Sequence, residues 1–378
     1  MDMKDLNLEP SSVSAISDRI REMEAGGARI LKMLAGEPDF ATPPPIMDAA
    51  IEAMRAGHTG YTAAAGVAEL REALAEKLVS KNHVKTSKKQ MVVSPGARYS
   101  IFLALSCLAG KGDEVLTLAP FWNGYSGIVE ALGAKLVSAP EDTLEAAVTP
   151  RTRAIIVSSP NNPSGEVYTR AKLEALAEIA RRRDLWIISD EVYEGLIYTA
   201  VPHISVASLS DDAQTRTVTV NGFSKAYAMT GWRLGYLSAP AEMAEKIIAI
   251  QGFLTHAPTS FAQYGALAAV QGAADKEVAA MRDEFARRRE IICGLLDKIP
   301  GLSYAKPEGA FYVLCDIGRF GFSPKDFCAR LLAEQNLAVI PASDFGAPRG
   351  IRLSYACSEE NIRAALAALG AFCNSLKV

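Results

Sequence analysis

Short apolar runs separated by amphipathic stretches mark out the middle of this chain. The runs fall at 91–94, 114–119, 135–138, 153–158, 185–189, 217–220 and 233–238. Several are apolar at consecutive positions, the pattern of strands buried on both faces. Between them the period lengthens. Leu173, Leu176, Ile179 and Ala180 make one helical face ahead of the polar Arg181-Arg182-Arg183, and Met47, Ile51 and Met54 predict a similar apolar face earlier. Strands alternating with helices predict an α/β fold, with a mostly parallel seven-stranded sheet sandwiched by helices. The last third differs. A charged helix is predicted over 281–299 and short strands over 310–315, 337–340 and 350–354. A final helix follows the N-cap Ser358, with Glu359 and Glu360 in its first turn and a stripe of Ile362, Ala365, Leu369 and Phe372. This predicts a large domain over 46–284 and a smaller α+β domain from 1–45 and 285–378, with Pro43-Pro44-Pro45 as a stiff corner.

At 378 residues the chain is too long for one small core, in keeping with about two domains. Net charge is −3 with no basic block, which argues against nucleic acid as the partner. Met1 to Pro10 is polar and acidic, unlike a secretory signal, and the apolar run 101–109 is too short to cross a bilayer. The six cysteines, at 107, 293, 315, 328, 357 and 373, form no C-x-x-C pair. Free thiols in a reducing cytoplasm are expected, with no membrane association. The four histidines, at 58, 83, 203 and 256, lack metal-ligand spacing, so no metal site is expected.

Chemistry gathers around Lys225, which lies between two β-rich runs in Asn221-Gly222-Phe223-Ser224-Lys225. Burial lowers a lysine's pKa, and a neutral amine attacks carbonyls to form a Schiff base. Arg233, eight residues on, is a fixed cation suited to phosphate. The pair suggests a lysine that carries pyridoxal phosphate. Three more polar clusters follow predicted strands, where α/β sheets bind ligands. Ser94-Pro95-Gly96-Ala97-Arg98 opens a helix, whose free N–H groups suit a phosphate. Asn162, in the turn 159–165, has an amide able to donate to a ring oxygen. Asp190 ends an apolar strand, where a carboxylate needs a cation such as a protonated pyridine nitrogen, and Tyr193 follows it. Singly, these read as a surface lysine, a helix start, a loop and an N-cap. Their convergence on one sheet edge favours the functional reading.

The chain resembles the class I pyridoxal-phosphate aminotransferases of fold type I, especially the bacterial aspartate aminotransferase branch. The likeness runs nearly end to end, through Gly36-Glu37-Pro38-Asp39-Phe40, Tyr61, Pro120-Phe121-Trp122, Asn161-Asn162-Pro163-Ser164-Gly165, Ser189-Asp190-Glu191, the lysine segment, Gly309-Ala310-Phe311-Tyr312 and Ile351-Arg352-Leu353-Ser354-Tyr355. The resemblance implies that Lys225 holds the cofactor and moves the substrate's Cα proton, with Asp190 on the pyridine nitrogen and Tyr193 and Asn162 on the ring hydroxyl. Trp122 would stack on the ring and line the substrate space with Asn162. Gly96, Ala97, Ser224 and Arg233 would take the phosphate, with Arg98 in the same turn. Tyr61 would reach the phosphate of a neighbouring subunit, making the functional unit a homodimer with shared sites. Arg352 would clamp the substrate α-carboxylate, with the Gly36 backbone beside it. Arg98 would face a second carboxylate, so the implied reaction is transamination between aspartate or glutamate and a 2-oxo acid such as 2-oxoglutarate. The alternatives on the same cofactor residues are an aminotransferase for aromatic or other neutral amino acids, or a β-lyase or oxidase. The chain departs from the branch over 251–258, near the substrate entrance, and in a shortened connection between Val137 and Arg151. No G-x-G-x-x-G or P-loop motif occurs, against a nicotinamide dehydrogenase. Too few residues precede Gly36 for a DNA-binding regulator.

Overall fold

The computed structural model describes residues 12–376; Met1 to Pro10 lie outside them. Seven strands form the central sheet: β1 (Met91–Ser94), β2 (Glu114–Leu118), β3 (Lys135–Ala139), β4 (Thr152–Ser158), β5 (Trp186–Asp190), β6 (Thr217–Gly222) and β7 (Gly235–Ser238). Their order is β1-β7-β6-β5-β4-β2-β3. Only β7 runs against its neighbours, pairing antiparallel with both β1 and β6. Its start therefore lies at the edge where the other strands end.

The unbroken apolar runs have a simple cause. Successive side chains of a strand point to opposite faces, and here each face meets a separate core. Ala154 and Ile156 of β4 join Ile188 of β5 in one cluster, while Ile155 and Val157 join Ile187 in another. The helix Arg170–Arg182 closes the second through Leu173, Leu176 and Ala180. The connection from β3 to β4 is only two short 3₁₀ turns, pinned by the fully buried Leu144.

A second, antiparallel sheet comprises β8 (Ser303–Tyr304), β9 (Tyr312–Asp316), β10 (Ile340–Pro341) and β11 (Gly350–Ser354), in the order β10-β11-β9-β8. Its core includes Phe285, Phe311 and Leu353, and the helices Asp275–Leu296 and Glu359–Ser375 pack there. Ser358 caps the last helix, its hydroxyl accepting the Asn361 N–H at 3.2 Å. Met33, Tyr193 and Leu196 belong to the same core, which ties it to the loop after β5.

The structure corrects some sequence expectations. The run 337–340 divides: Leu337–Ala338 pairs in parallel with Leu31–Lys32, and only Ile340 onward enters the second sheet. The charged helix begins at Asp275, not 281. The helix Pro44–Arg55 forms, but it buries Ile46, Ala50 and Ala53 and leaves Met47, Ile51 and Met54 36–40% exposed. Close packing decides this. A Cβ on Gly265 of the helix Ser260–Val270 would lie 2.9 Å from the Ile46 carbonyl oxygen, so the two helices meet through small residues.

All six cysteines are free thiols. Glu191, Glu194 and His203 form a compact group with donor atoms within 4.8 Å of one another. Most of those donors are already engaged, although His203 Nδ1 has no partner among the described residues. Lys77 ion-pairs with Glu194, His203 Nε2 lies 2.9 Å from Glu191, and Ser189 and Ser205 donate to Glu191 at 2.7 and 2.6 Å. The group braces the chain directly after Asp190.

Truncating Ile187→Ala removes a fully buried side chain from β5. It is expected to cost about 2–5 kcal/mol, read as a lower urea midpoint with an unchanged slope.

Candidate active site

One edge of the central sheet carries the polar residues. Asp190 is the last residue of β5, paired with Ser158 of β4 and Val220 of β6. Lys225 follows the end of β6, Asn162 the end of β4, and the turn at Gly96 the end of β1. Arg233 lies two residues before the start of β7, whose reversal brings it to the same edge. Five adjacent strands thus converge on a cavity of about 2510 Å³. Gly36, Ala97, Arg98, Trp122, Asn162 and Asp190 line it, together with Tyr193, Ser224, Lys225, Arg233 and Arg352.

The Lys225 amine donates to the Gly36 carbonyl oxygen and lies 5.8 Å from the Tyr193 ring centre. Withdrawal from water lowers its pKa to about 8; Glu37 and Asp190 oppose that shift, while Arg352 and Arg98 add to it. A neutral fraction of about a tenth is therefore present at pH 7, far more than for an ordinary lysine. Asp190 is 5% exposed. Burial pushes it up to about 6, against the Tyr125 hydroxyl, which donates to Oδ2 at 2.6 Å.

At the turn, Gly96 has φ +95°, and a Cβ there would lie 2.7 Å from Arg233 Nη2. Glycine lets the guanidinium close on the start of the helix Ala97–Ser106, whose first N–H groups have no partner within the helix. Arg233 also donates to the Thr230 carbonyl at 2.8 Å. Arg98 stands over the Trp122 ring at 4.8 Å.

Arg352, on β11, is 4% exposed. It donates to Asn162 Oδ1 at 3.2 Å and to the Leu34 carbonyl at 2.9 Å, and lies over the Tyr312 ring at 4.4 Å. Its Nε has no hydrogen-bond partner among the described residues. No carboxylate of the described residues ion-pairs with Arg352, Arg98 or Arg233. Asn162 is aimed by its neighbour: the Asn161 side chain accepts from the Ser164 N–H at 3.2 Å and hydroxyl at 2.9 Å, and donates to the Pro120 carbonyl at 3.2 Å. Tyr193 shares a 2.8 Å hydrogen bond with the Tyr312 hydroxyl.

One buried and two exposed arginines without a carboxylate partner among the described residues, an amine of lowered basicity and a buried carboxylate describe a receptor for a small polyanion that reacts with amines. The family description "Aminotransferase class I and II" matches residues 28–369. The chain belongs to the class I and II aminotransferases. A probable aspartate/prephenate aminotransferase of Aquifex aeolicus is 42% identical over 372 residues, with 94% of each protein covered. The structure of the Thermus thermophilus aspartate aminotransferase with maleate superposes with a TM-score of 0.93 at 36% identity, covering 98% of this chain and all of that one. An aromatic aminotransferase from Pyrococcus horikoshii gives a TM-score of 0.89 at 38% identity, covering 95% and 99%. The aminotransferase depends on pyridoxal phosphate and acts on amino acids and 2-oxo acids.

Tyr61 lies outside the cavity. It is 92% exposed and touches His256 edge-on at 4.7 Å. His256 sits in the atypical 251–258 segment at φ +62°, close to the exposed Phe253. The sequence reading of the aminotransferase assigned no role to Tyr125, Tyr312, Glu37 or Thr230, whose hydroxyl donates to Glu37 at 2.9 Å. Tyr312 and Glu37 stand inside the segments Gly309-Ala310-Phe311-Tyr312 and Gly36-Glu37-Pro38-Asp39-Phe40, and Tyr125 is three residues after Trp122. Their spacing was the available signal.

Cyanate modification of Lys225 in cofactor-free protein should reach half its maximal rate near pH 8, against an ordinary lysine value of 10.5. Glu37→Gln should lower that midpoint, because the Glu37 carboxylate favours the charged amine. Peptide mass mapping after timed labelling gives both values.

Proposed function

We propose that this aminotransferase exchanges the amino group of aspartate or glutamate with a 2-oxo acid such as 2-oxoglutarate, with Lys225 as the covalent anchor and proton carrier. One observation carries the reading: Arg352 and Arg98 open on the cavity of Lys225, and neither pairs with a carboxylate of the described residues. Arg352 is buried, where a guanidinium without a counter-charge is costly, while Arg98 is more exposed; an amino acid with two carboxylates would pair with both.

The residues fit the cofactor. The Gly96 cradle, the helix start at Ala97, Ser224 and Arg233 suit its phosphate. Asp190 suits its pyridine nitrogen. Tyr193 and Asn162 lie where they can meet its ring oxygen, and Trp122 where it can cover a ring face. Bound pyridoxal phosphate supplies a reactive aldehyde and an electron-withdrawing ring. The chain supplies the rest. Arg352 holds the α-carboxylate through charged hydrogen bonds, with the Gly36 backbone alongside. Arg98 takes the side-chain carboxylate. Lys225 would hold the cofactor's aldehyde, and its amine would serve as the base that takes the substrate's Cα proton and as the acid that returns one. Release of a 2-oxo acid precedes binding of the second, so the kinetics are ping-pong.

The same two arginines also suit a larger dicarboxylate, such as the prephenate in the name of the Aquifex relative. The size of the cavity favours keeping this second reading.

We read the functional unit as a homodimer. Met47, Ile51, Met54, Phe253 and Leu254 are exposed apolar residues of the single chain, as is Tyr61, which would reach the partner's phosphate site. The cores, one mostly within 46–284 and one mostly within 285–378 but sharing Tyr193 and Leu196, support the division into 46–284 and 1–45 with 285–378. Four buried free thiols support a cytoplasmic setting. Among the described residues no helix is long and apolar enough to cross a membrane.

Arg98→Ala is expected to lower kcat/KM for aspartate by about 10- to 100-fold, the worth of charged hydrogen bonds, and to leave a neutral amino acid within about threefold. Equal losses on both remove Arg98 from the side-chain role. Pyruvate and ammonia release without an acceptor would instead mark a β-lyase. Separately, Ile51→Glu should convert a dimer to monomers in sedimentation velocity and depress activity with it.

A further inference from the structure

Tyr125 is fully buried, and its hydroxyl lies 2.6 Å from Asp190 Oδ2. We propose that Tyr125 is a positioning residue: its hydroxyl orients the Asp190 carboxylate and keeps it anionic, so that the other oxygen is free to hold the pyridinium N–H of bound cofactor. The inference rests on the reading of Asp190 given above.

Local structure explains how Tyr125 arrives there. The helix Gly124–Ala131 begins two residues after Trp122. A Cβ on Gly124 would lie 2.2 Å from the Trp122 ring, so only glycine lets that ring fold back across the helix start. Trp122 and Tyr125 then meet edge to face at 5.2 Å. A single turn thus sends one aromatic ring to the cavity and the other behind it, against the carboxylate.

The ordinary reading is a core tyrosine that has found an acceptor, as buried tyrosines do. The charges around Asp190 argue for more. Among the described residues its second oxygen, Oδ1, receives only the Val192 N–H, at 3.4 Å. The titratable groups near it are Tyr125, Glu191, Lys225 and, through its phenol, Tyr193. Burial pushes Asp190 up, and Glu191 adds to that push. Of the groups acting the other way, the Tyr125 hydroxyl is the strongest, ahead of the Val192 N–H and Lys225. Without it the carboxyl becomes a stronger base. The proton shared across the N–H···O contact then moves from the ring nitrogen to Asp190. One proton is transferred, and an ion pair becomes a neutral pair.

The test uses holoenzyme loaded with pyridoxal phosphate labelled with ¹⁵N in the ring. Wild type, Tyr125→Phe and Asp190→Asn are compared by ¹⁵N NMR and steady-state kinetics across the neutral to mildly alkaline range. Wild type should show the shift of a protonated ring. Tyr125→Phe should move toward the unprotonated value, with kcat lower by about tenfold, as for comparable supporting partners, and KM for the amino acid within about twofold. Incorporating 3-fluorotyrosine at position 125 keeps the shape and strengthens the donor; the ring should then stay protonated to higher pH than in wild type. This measurement holds even where Tyr125→Phe fails to fold. If neither replacement moves the ¹⁵N shift, Tyr125 has no such role. If Asp190→Asn also leaves the shift at its wild-type value, the underlying assignment of Asp190 is overturned as well, so the two failures are distinct.

Discussion

Uncompensated positive charge around one cavity is the constraint on which this molecule's chemistry depends. Arg352, Arg98 and Arg233 have no carboxylate partner among the described residues, and Asp190 sits with little water at the end of a central strand. Removing charges from water is costly unless they are matched. The chain satisfies Arg352 only in part, through Asn162 and the Leu34 carbonyl. Selection among small molecules follows: a ligand is favoured insofar as it brings negative charge to the arginines and a cationic ring to Asp190.

The fold makes this arrangement cheap to build. Parallel strands place their ends at one edge, so β4, β5 and β6 deliver Asn162, Asp190 and Lys225 without special loops. The antiparallel β7 adds something a wholly parallel sheet could not: Arg233 arrives from the beginning of a strand. The second core, around Phe285 and Phe311, shares Tyr193 with the loop after β5. It thereby fixes β11 and Arg352 against the sheet.

Much of this was legible in the sequence because it rests on local pattern. All seven strands of the sheet were marked by apolar runs, and the lysine segment and Asp190 stood at strand ends. What was not legible depended on tertiary partners. Periodicity showed two possible faces for the helix Pro44–Arg55 and favoured the bulkier one; close contact with the helix bearing Gly265 buried the smaller one instead. Alternation in 337–341 could not reveal that neighbouring residues pair with different strands. Tyr125 was missed for a similar reason. Its acceptor is 65 positions away in sequence, and nothing local marks a tyrosine as facing a carboxylate.

The depressed basicity of Lys225 has a chemical cost as well as a use. An amine that is partly unprotonated in neutral solution does not discriminate among carbonyl compounds. Newly made chains, before they are loaded, would be open to glycation and to metabolic aldehydes at this position. Occupation of this amine by the cofactor's aldehyde would therefore also shield it from other carbonyl compounds.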